Sequence, residues 1–164
     1  MKKLLIYLIL IVPQFVFSQG QEKNYIEWMT LKQAEEYSEK HQQNIFILFY
    51  RPGCDYCERM KKETLSDPLV IKQINENFLP VMINGKSKQE MIYSGKKYIN
   101  DASIEEDPKA TWRHNLYAEL VDPWKEQYYW PNIVVINYNK QKILQLNGFQ
   151  PKSQLLRSIK KLVK

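Results

Sequence analysis

The chain has 164 residues, 24 Lys and Arg against 18 Asp and Glu, two cysteines and two histidines. That length suits one domain with its own core. The net charge of +6 is spread along the chain. Lys160, Lys161 and Lys164 share a helical pattern with Leu155, Leu156, Ile159 and Leu162, so they read as a solvated helix face and not as a nucleic-acid footprint.

Lys2 and Lys3 precede an apolar run over 4–12, extended by Phe15, Val16 and Phe17, with Val16 and Ser18 at the −3 and −1 positions of a cut after Ser18. This predicts a secretory signal peptide over 1–18 and a mature domain over 19–164 carrying a charge of +4, in a periplasmic or secreted protein. An uncleaved anchor is the alternative, but Pro13 and Gln14 interrupt the run, and a spanning helix needs about 20 apolar residues. No cysteine follows the run, which argues against a lipid anchor. Outside the cytoplasm, disulfides persist.

Residues 25–28 read as a short first strand. Thr30 is a helix N-cap for 31–41, with Leu31, Ala34 and Tyr37 on one side. The apolar run 44–50 reads as a buried strand. Arg51-Pro52-Gly53 is a tight loop, and a helix is expected from Cys54 to about 64. Ser66 or Asp67 caps a second helical stretch that starts at Pro68. A strand over 79–83 ends at Asn84-Gly85. Helical pieces are expected around 88–98 and 109–120, with Glu105, Glu106 and Asp107 in a solvated turn. A strand over 133–137, a turn at Asn139-Lys140, a strand over 142–146 and a helix over 151–163 close the chain. Alternating strands and helices imply a central, partly parallel sheet covered by helices.

Cys54-Asp55-Tyr56-Cys57 lies where a strand meets a helix. A free thiol ionises near pH 8.5, and the free N–H groups of a helix start favour its anion. Cys54 is therefore the expected nucleophile, helped by Arg51, and Cys57, one turn inward, the resolving thiol. Asp55 opposes the thiolate and leans the pair towards a reductant. A structural disulfide is the plainer alternative, but so small a loop stabilises little. A closed zinc site needs four ligands, and neither His41 nor His114 has ligand spacing to the cysteines. A copper site using both cysteines and one histidine stays open, although both histidines read as surface residues.

The arrangement resembles the thioredoxin fold, an α/β fold with a central mixed sheet flanked by helices, here with a helical insertion over 86–129 before the cis-proline strand. The cysteine pair at a helix start, Trp130-Pro131 before an apolar strand, and the final hairpin and helix carry the resemblance. The stretch from Cys54 to Pro68, then Val70 and Asn77-Phe78-Leu79-Pro80-Val81, is similar to secreted thioredoxin-like proteins that include the C-terminal domain of the transmembrane disulfide reductase. The resemblance implies an exported thiol–disulfide oxidoreductase that needs no bound cofactor beyond its redox-active Cys54–Cys57 disulfide. Its implied partners are exported protein disulfides or dithiols and a membrane or soluble dithiol donor, with no nucleic acid and no stable membrane insertion after cleavage. It makes Pro131 the cis-proline and implies that Trp130 pairs with an extended substrate, with Tyr56 and Tyr50 adding apolar contact; the plainer alternative makes Tyr50 and Trp130 core aromatics. The alternative is a non-catalytic thioredoxin-like module that binds copper or a partner. Two positions depart from thioredoxins: Leu48 replaces a buried acid, and Gly53 a tryptophan. The insertion aromatics Tyr93, Tyr98, Trp112, Tyr117, Trp124, Tyr128 and Tyr129 are expected to pack onto the domain, with a partner surface as the other reading.

Overall fold

The computed structural model describes residues 23–100 and 113–163. The expected signal peptide, Trp112 and the turn around Glu105–Asp107 lie outside the described residues. The elements run α1 (Leu31–His41), β1 (Asn44–Tyr50), α2 (Asp55–Arg59) continued by a π-helical turn (Met60–Thr64), α3 (Pro68–Asn77), β2 (Phe78–Asn84), β3 (Met91–Tyr93), β4 (Lys96–Tyr98), α4 (Asn115–Leu120), β5 (Asn132–Ile136), β6 (Lys142–Asn147) and α5 (Lys152–Lys160).

Local chemistry sets several boundaries. The Gln33 amide donates to Thr30 Oγ1 at 3.2 Å and the Thr30 amide to Gln33 Oε1 at 3.0 Å, a capping box that fixes the start of α1. Asp67 accepts from the Leu69 and Val70 amides at 2.9 and 3.3 Å, and Pro68 takes the first-turn position that needs no donor.

Four strands form one sheet in the order β2-β1-β5-β6. β1 and β2 are parallel; β5 runs antiparallel to β1, and β6 to β5. Side chains alternate across a strand, so β1 supplies both faces of the sheet. Ile45, Ile47 and Phe49 face α1, the β3–β4 hairpin and α4, whereas Phe46 and Leu48 face Met60, α3 and α5. Ile45 through Phe49 are all at most 3% exposed. Their burial is worth on the order of 10 kcal/mol before entropy, which makes β1 a rigid base for the loop that follows it. Among the described residues no helix is long and apolar enough to cross a membrane.

Two expectations are corrected. The stretch 25–28 is not a strand; the only pairing there is a single parallel bridge from Met29 to Val81. The predicted helix over 88–98 is an antiparallel hairpin. Ser94 and Gly95 both take left-handed backbone angles, φ 53° and 74°, the turn that matches strand twist in a two-residue hairpin. Tyr93 and Tyr98 are buried while Ile92 and Lys97 are exposed, a period of two. The second predicted helix is α4, shorter at its described end than expected.

Candidate active site

Cys54 and Cys57 are brought together by the end of β1. Gly53 reverses the chain in the left-handed region, φ 64°. Cys54 then takes the N-cap position of α2, where its Sγ accepts from the Cys57 amide at 3.1 Å. Its carbonyl accepts from the Cys57 and Glu58 amides at 3.0 and 3.1 Å. The two cysteines form a disulfide with a Cα separation of 5.2 Å. Cys54 is 5% exposed and Cys57 1%, so the outer sulfur is the one nearer solvent.

The helix does not continue as an ordinary α-helix. The Leu65 amide reaches back five residues to the Met60 carbonyl at 2.9 Å. The two ends of this wide turn grip one residue: Met60 Sδ accepts from the Gln150 amide at 3.4 Å, and Thr64 Oγ1 donates to the Gln150 carbonyl at 2.7 Å. Gly148 in the same loop donates to the Pro131 carbonyl at 2.8 Å.

The Trp130–Pro131 peptide bond is cis, as expected from the resemblance. Register places it beside the end of β1. Asn132 pairs with Phe49, so Pro131 and Trp130 continue alongside Tyr50 and the loop leading to Cys54. The Trp130 ring stacks on Tyr117 at 4.2 Å with an 18° tilt and lies on Gly85, whose amide donates to the Tyr50 carbonyl at 2.9 Å. Tyr117 in turn meets Phe49 edge-on at 5.1 Å and donates its hydroxyl to the Tyr129 carbonyl at 2.8 Å. Among the described residues the Trp130 backbone amide and carbonyl have no hydrogen-bond partner.

Of the other predicted site residues, Arg51 is half-buried and Asp55 and Tyr56 are exposed on the outer side of α2. Arg51 sits close enough to Lys86 that its charge, after burial, pushes the Lys86 amine below its ordinary range. Tyr50 is half-buried with the Lys61 ammonium 4.6 Å above its ring. Arg59 lies 4.5 Å over Phe149 and 6.0 Å over Tyr56, and its Nε and Nη2 donate to the two carboxylate oxygens of Glu63 at 3.1 and 3.2 Å. That pair is half-exposed and contributes little stability. Leu48 is 1% exposed and faces the core beneath α2, so hydrocarbon lies where thioredoxins place an acid.

The histidines separate. His41 ends α1, stacked on Tyr37 at 5.6 Å. His114 is not a surface residue: it is fully buried and caps α4. Its Nδ1 accepts from the Leu116 amide at 3.1 Å, so the partner network assigns the proton to Nε2, which donates to the Gln89 carbonyl at 2.9 Å. Both ring nitrogens are used in holding the insertion. Among the described residues no group of three or more His, Cys, Asp or Glu converges as a metal site. The insertion aromatics Tyr93, Tyr98 and Tyr117 are buried in the core, Tyr128 and Tyr129 half-buried, and Trp124 exposed. Gly85, Tyr117 and Gln150 build the site yet carry no local sequence signal for it, because each acts through residues distant in the chain.

Residues 31–162 match the thioredoxin-like domain family. Among solved structures, the chain is similar to the DsbH oxidoreductase, at 14% identity over 86% of this chain and 88% of that one, with a TM-score of 0.56. A putative disulphide-isomerase from Bacteroides thetaiotaomicron is 18% identical over 85% of this chain and 94% of that one, TM-score 0.52. The C-terminal domain of DsbD from Neisseria meningitidis is 17% identical over 80% and 92%, TM-score 0.50. A search of curated proteins found no match. At these identities the structural likeness speaks to the fold, and the match along the sequence speaks to the family: the chain belongs to the thioredoxin-like domain family.

Proposed function

We propose that this protein is an exported thiol–disulfide oxidoreductase, acting in the periplasm or outside the cell, that reduces or exchanges disulfides of other exported proteins. The observation that carries the reading is a Cys54–Cys57 disulfide at a helix N-cap, with a backbone edge at Trp130, continuing the strand paired with β1, that has no partner among the described residues. Export rests on the expected signal peptide over 1–18.

In the reduced protein, Cys54 is the nucleophile. Its sulfur is the helix N-cap, and the N–H groups of the first turn stabilise the thiolate. The thiolate attacks one sulfur of a substrate disulfide. A Cys54–substrate bond forms, the substrate S–S bond breaks, and the first substrate thiolate leaves. Cys57 then gives up its proton and attacks Cys54. The Cys54–Cys57 bond forms and the second substrate thiol is released. Two electrons and two protons pass to the substrate, and a partner dithiol, membrane-bound or soluble, returns them. No bound cofactor is required. With Leu48 beneath the helix, the Cys57 proton leaves through water or another group. An extended substrate adds as a strand to the Trp130 backbone, with Tyr56 exposed on α2 for apolar contact and Arg51 and Asp55 setting the local field.

Trapping tests this. Cys57→Ser is expected to accumulate a mixed disulfide through Cys54, seen as a higher-mass species on a non-reducing gel and located by peptide mass spectrometry. Cys54→Ser is expected to trap nothing. A wild type that does not reduce insulin, with neither variant trapping a partner, would reject the reading. A reduction potential near about −270 mV would set the net direction as reduction, and one near about −120 mV as oxidation.

A further inference from the structure

We infer that Tyr117, in the insertion, is the positioning residue that aims the substrate-binding edge at Trp130. The inference rests on the oxidoreductase reading above and adds to it a part of the chain with no role in the dithiol chemistry.

Tyr117 is fully buried on α4 and reaches the loop in two ways. Its hydroxyl donates to the Tyr129 carbonyl at 2.8 Å. Its ring lies 4.2 Å from the Trp130 ring, nearly parallel. The Tyr129 carbonyl and the Trp130 amide belong to one peptide unit. That unit is planar, and the cis bond of this loop is the next one. In a planar trans unit the carbonyl and the amide point in opposite directions. Fixing the Tyr129 carbonyl inward therefore fixes the Trp130 N–H outward, on the side away from α4. One side chain thus holds the main chain and the indole of the same residue.

The support is itself well founded. Tyr117 is braced edge-on by Phe49 of β1 at 5.1 Å and tilted against Tyr128 at 5.6 Å. Its phenol is pushed well above the ordinary tyrosine range by burial, so it stays a hydrogen-bond donor throughout the neutral and mildly alkaline range. α4 is anchored through His114, whose amide donates to the Gly85 carbonyl at 2.7 Å. The Trp130 ring rests on that same Gly85. The insertion and the loop therefore share one seat.

Tyr117→Phe keeps the ring stack and removes only the hydroxyl. Loss of one buried hydrogen bond corresponds to about a five- to ten-fold effect. In insulin reduction with dithiothreitol as donor, KM should rise about five- to ten-fold while kcat changes less than about two-fold. The rate of the reduced variant with 5,5′-dithiobis(2-nitrobenzoate), a small disulfide with no strand to pair, and the reduction potential should move by less than about two-fold and a few millivolts. Tyr117→Leu, which also removes the stack, should raise KM further. Equal losses on both disulfides would assign Tyr117 a purely structural role and overturn the inference. So would an unchanged KM in Tyr117→Phe. A wild type unreactive towards both disulfides would instead reject the oxidoreductase reading, and the inference with it.

Discussion

Gly85→Ala is expected to destabilise the protein by pushing Trp130 off its seat. A Cβ at this position would lie 2.2 Å from Trp130 Cη2 and 2.5 Å from Cζ3, with Tyr117 Cδ2 at 3.3 Å. Carbon atoms in ordinary contact stand about 3.5–4.0 Å apart, so the indole has to retreat by more than about 1 Å and leave its 4.2 Å stack on Tyr117. Overpacking of this kind costs about 1–3 kcal/mol. With about 2 kcal/mol as the central value, and roughly 3 °C per kcal/mol for a chain of this size, Tm falls by about 6 °C. The cost belongs to the contact and not to the backbone, which a double-mutant cycle isolates. In a Trp130→Ala background the nearest atom left is Tyr117 Cδ2 at 3.3 Å, and Gly85→Ala should cost less than about 0.5 kcal/mol, leaving a coupling near 1.5 kcal/mol. Thermal unfolding followed by circular dichroism on the four oxidised proteins, with guanidinium midpoints as a second measure, reads the cycle. Additive losses would refute the reasoning, because they would place the cost of the methyl somewhere other than the tryptophan ring.

Two further predictions concern stability. Asp67→Ala removes a helix cap bonded to two amides and an ion pair to Lys152 at 2.6 Å, and should cost about 1–2 kcal/mol at pH 7 by urea unfolding. The Lys152 ammonium, chiefly, holds the Asp67 carboxyl below its usual range in the fold. Its contribution is therefore present above the unfolded value of about 3.9 and disappears as pH falls through the folded one. The gap between wild type and variant should shrink in acid, and a gap that widens there would contradict the assignment. Tyr93 has a buried hydroxyl with no hydrogen-bond partner among the described residues, and burial pushes it up to about 12. Tyr93→Phe should be neutral or stabilising by about 1 kcal/mol. Wild type should lose stability as pH climbs from about 10 towards 12, because the unfolded phenol ionises first. The variant should lose less over that range, and a variant that melts lower at pH 7 would show the hydroxyl to be satisfied.

What was legible in the sequence was whatever neighbouring residues decide. Thr30 with Gln33 brackets α1, Asp67-Pro68 starts α3, and the unbroken apolar run of β1 needs no partner to be recognised as buried. The cysteine pair at a strand–helix junction was legible for the same reason. The hairpin over 91–98 was not, because two strands of three residues each are too short to show a period. Ser94-Gly95 is the turn that decides it, and the dipeptide is a turn signal that the helical expectation passed over. His114 read as a surface residue because two of the partners that bury it, Gly85 and Gln89, lie beyond its own helix. The wide turn after Arg59 had no signal either. It is held by Gln150, which the chain delivers only after β6.

That last contact has a consequence for how this architecture tolerates change in length. Surface loops generally accept inserted or deleted residues, since few contacts cross them. The connection from β6 to α5 is different. Gly148 holds the Pro131 carbonyl and Gln150 holds the helix that starts at the cysteines, so a stretch of three consecutive residues ties the cis-proline loop to that helix. It works as a fixed-gauge spacer. One residue more or fewer there would shift the helix and the cis-proline loop against each other while leaving each of them intact, so variation in length belongs elsewhere in this molecule.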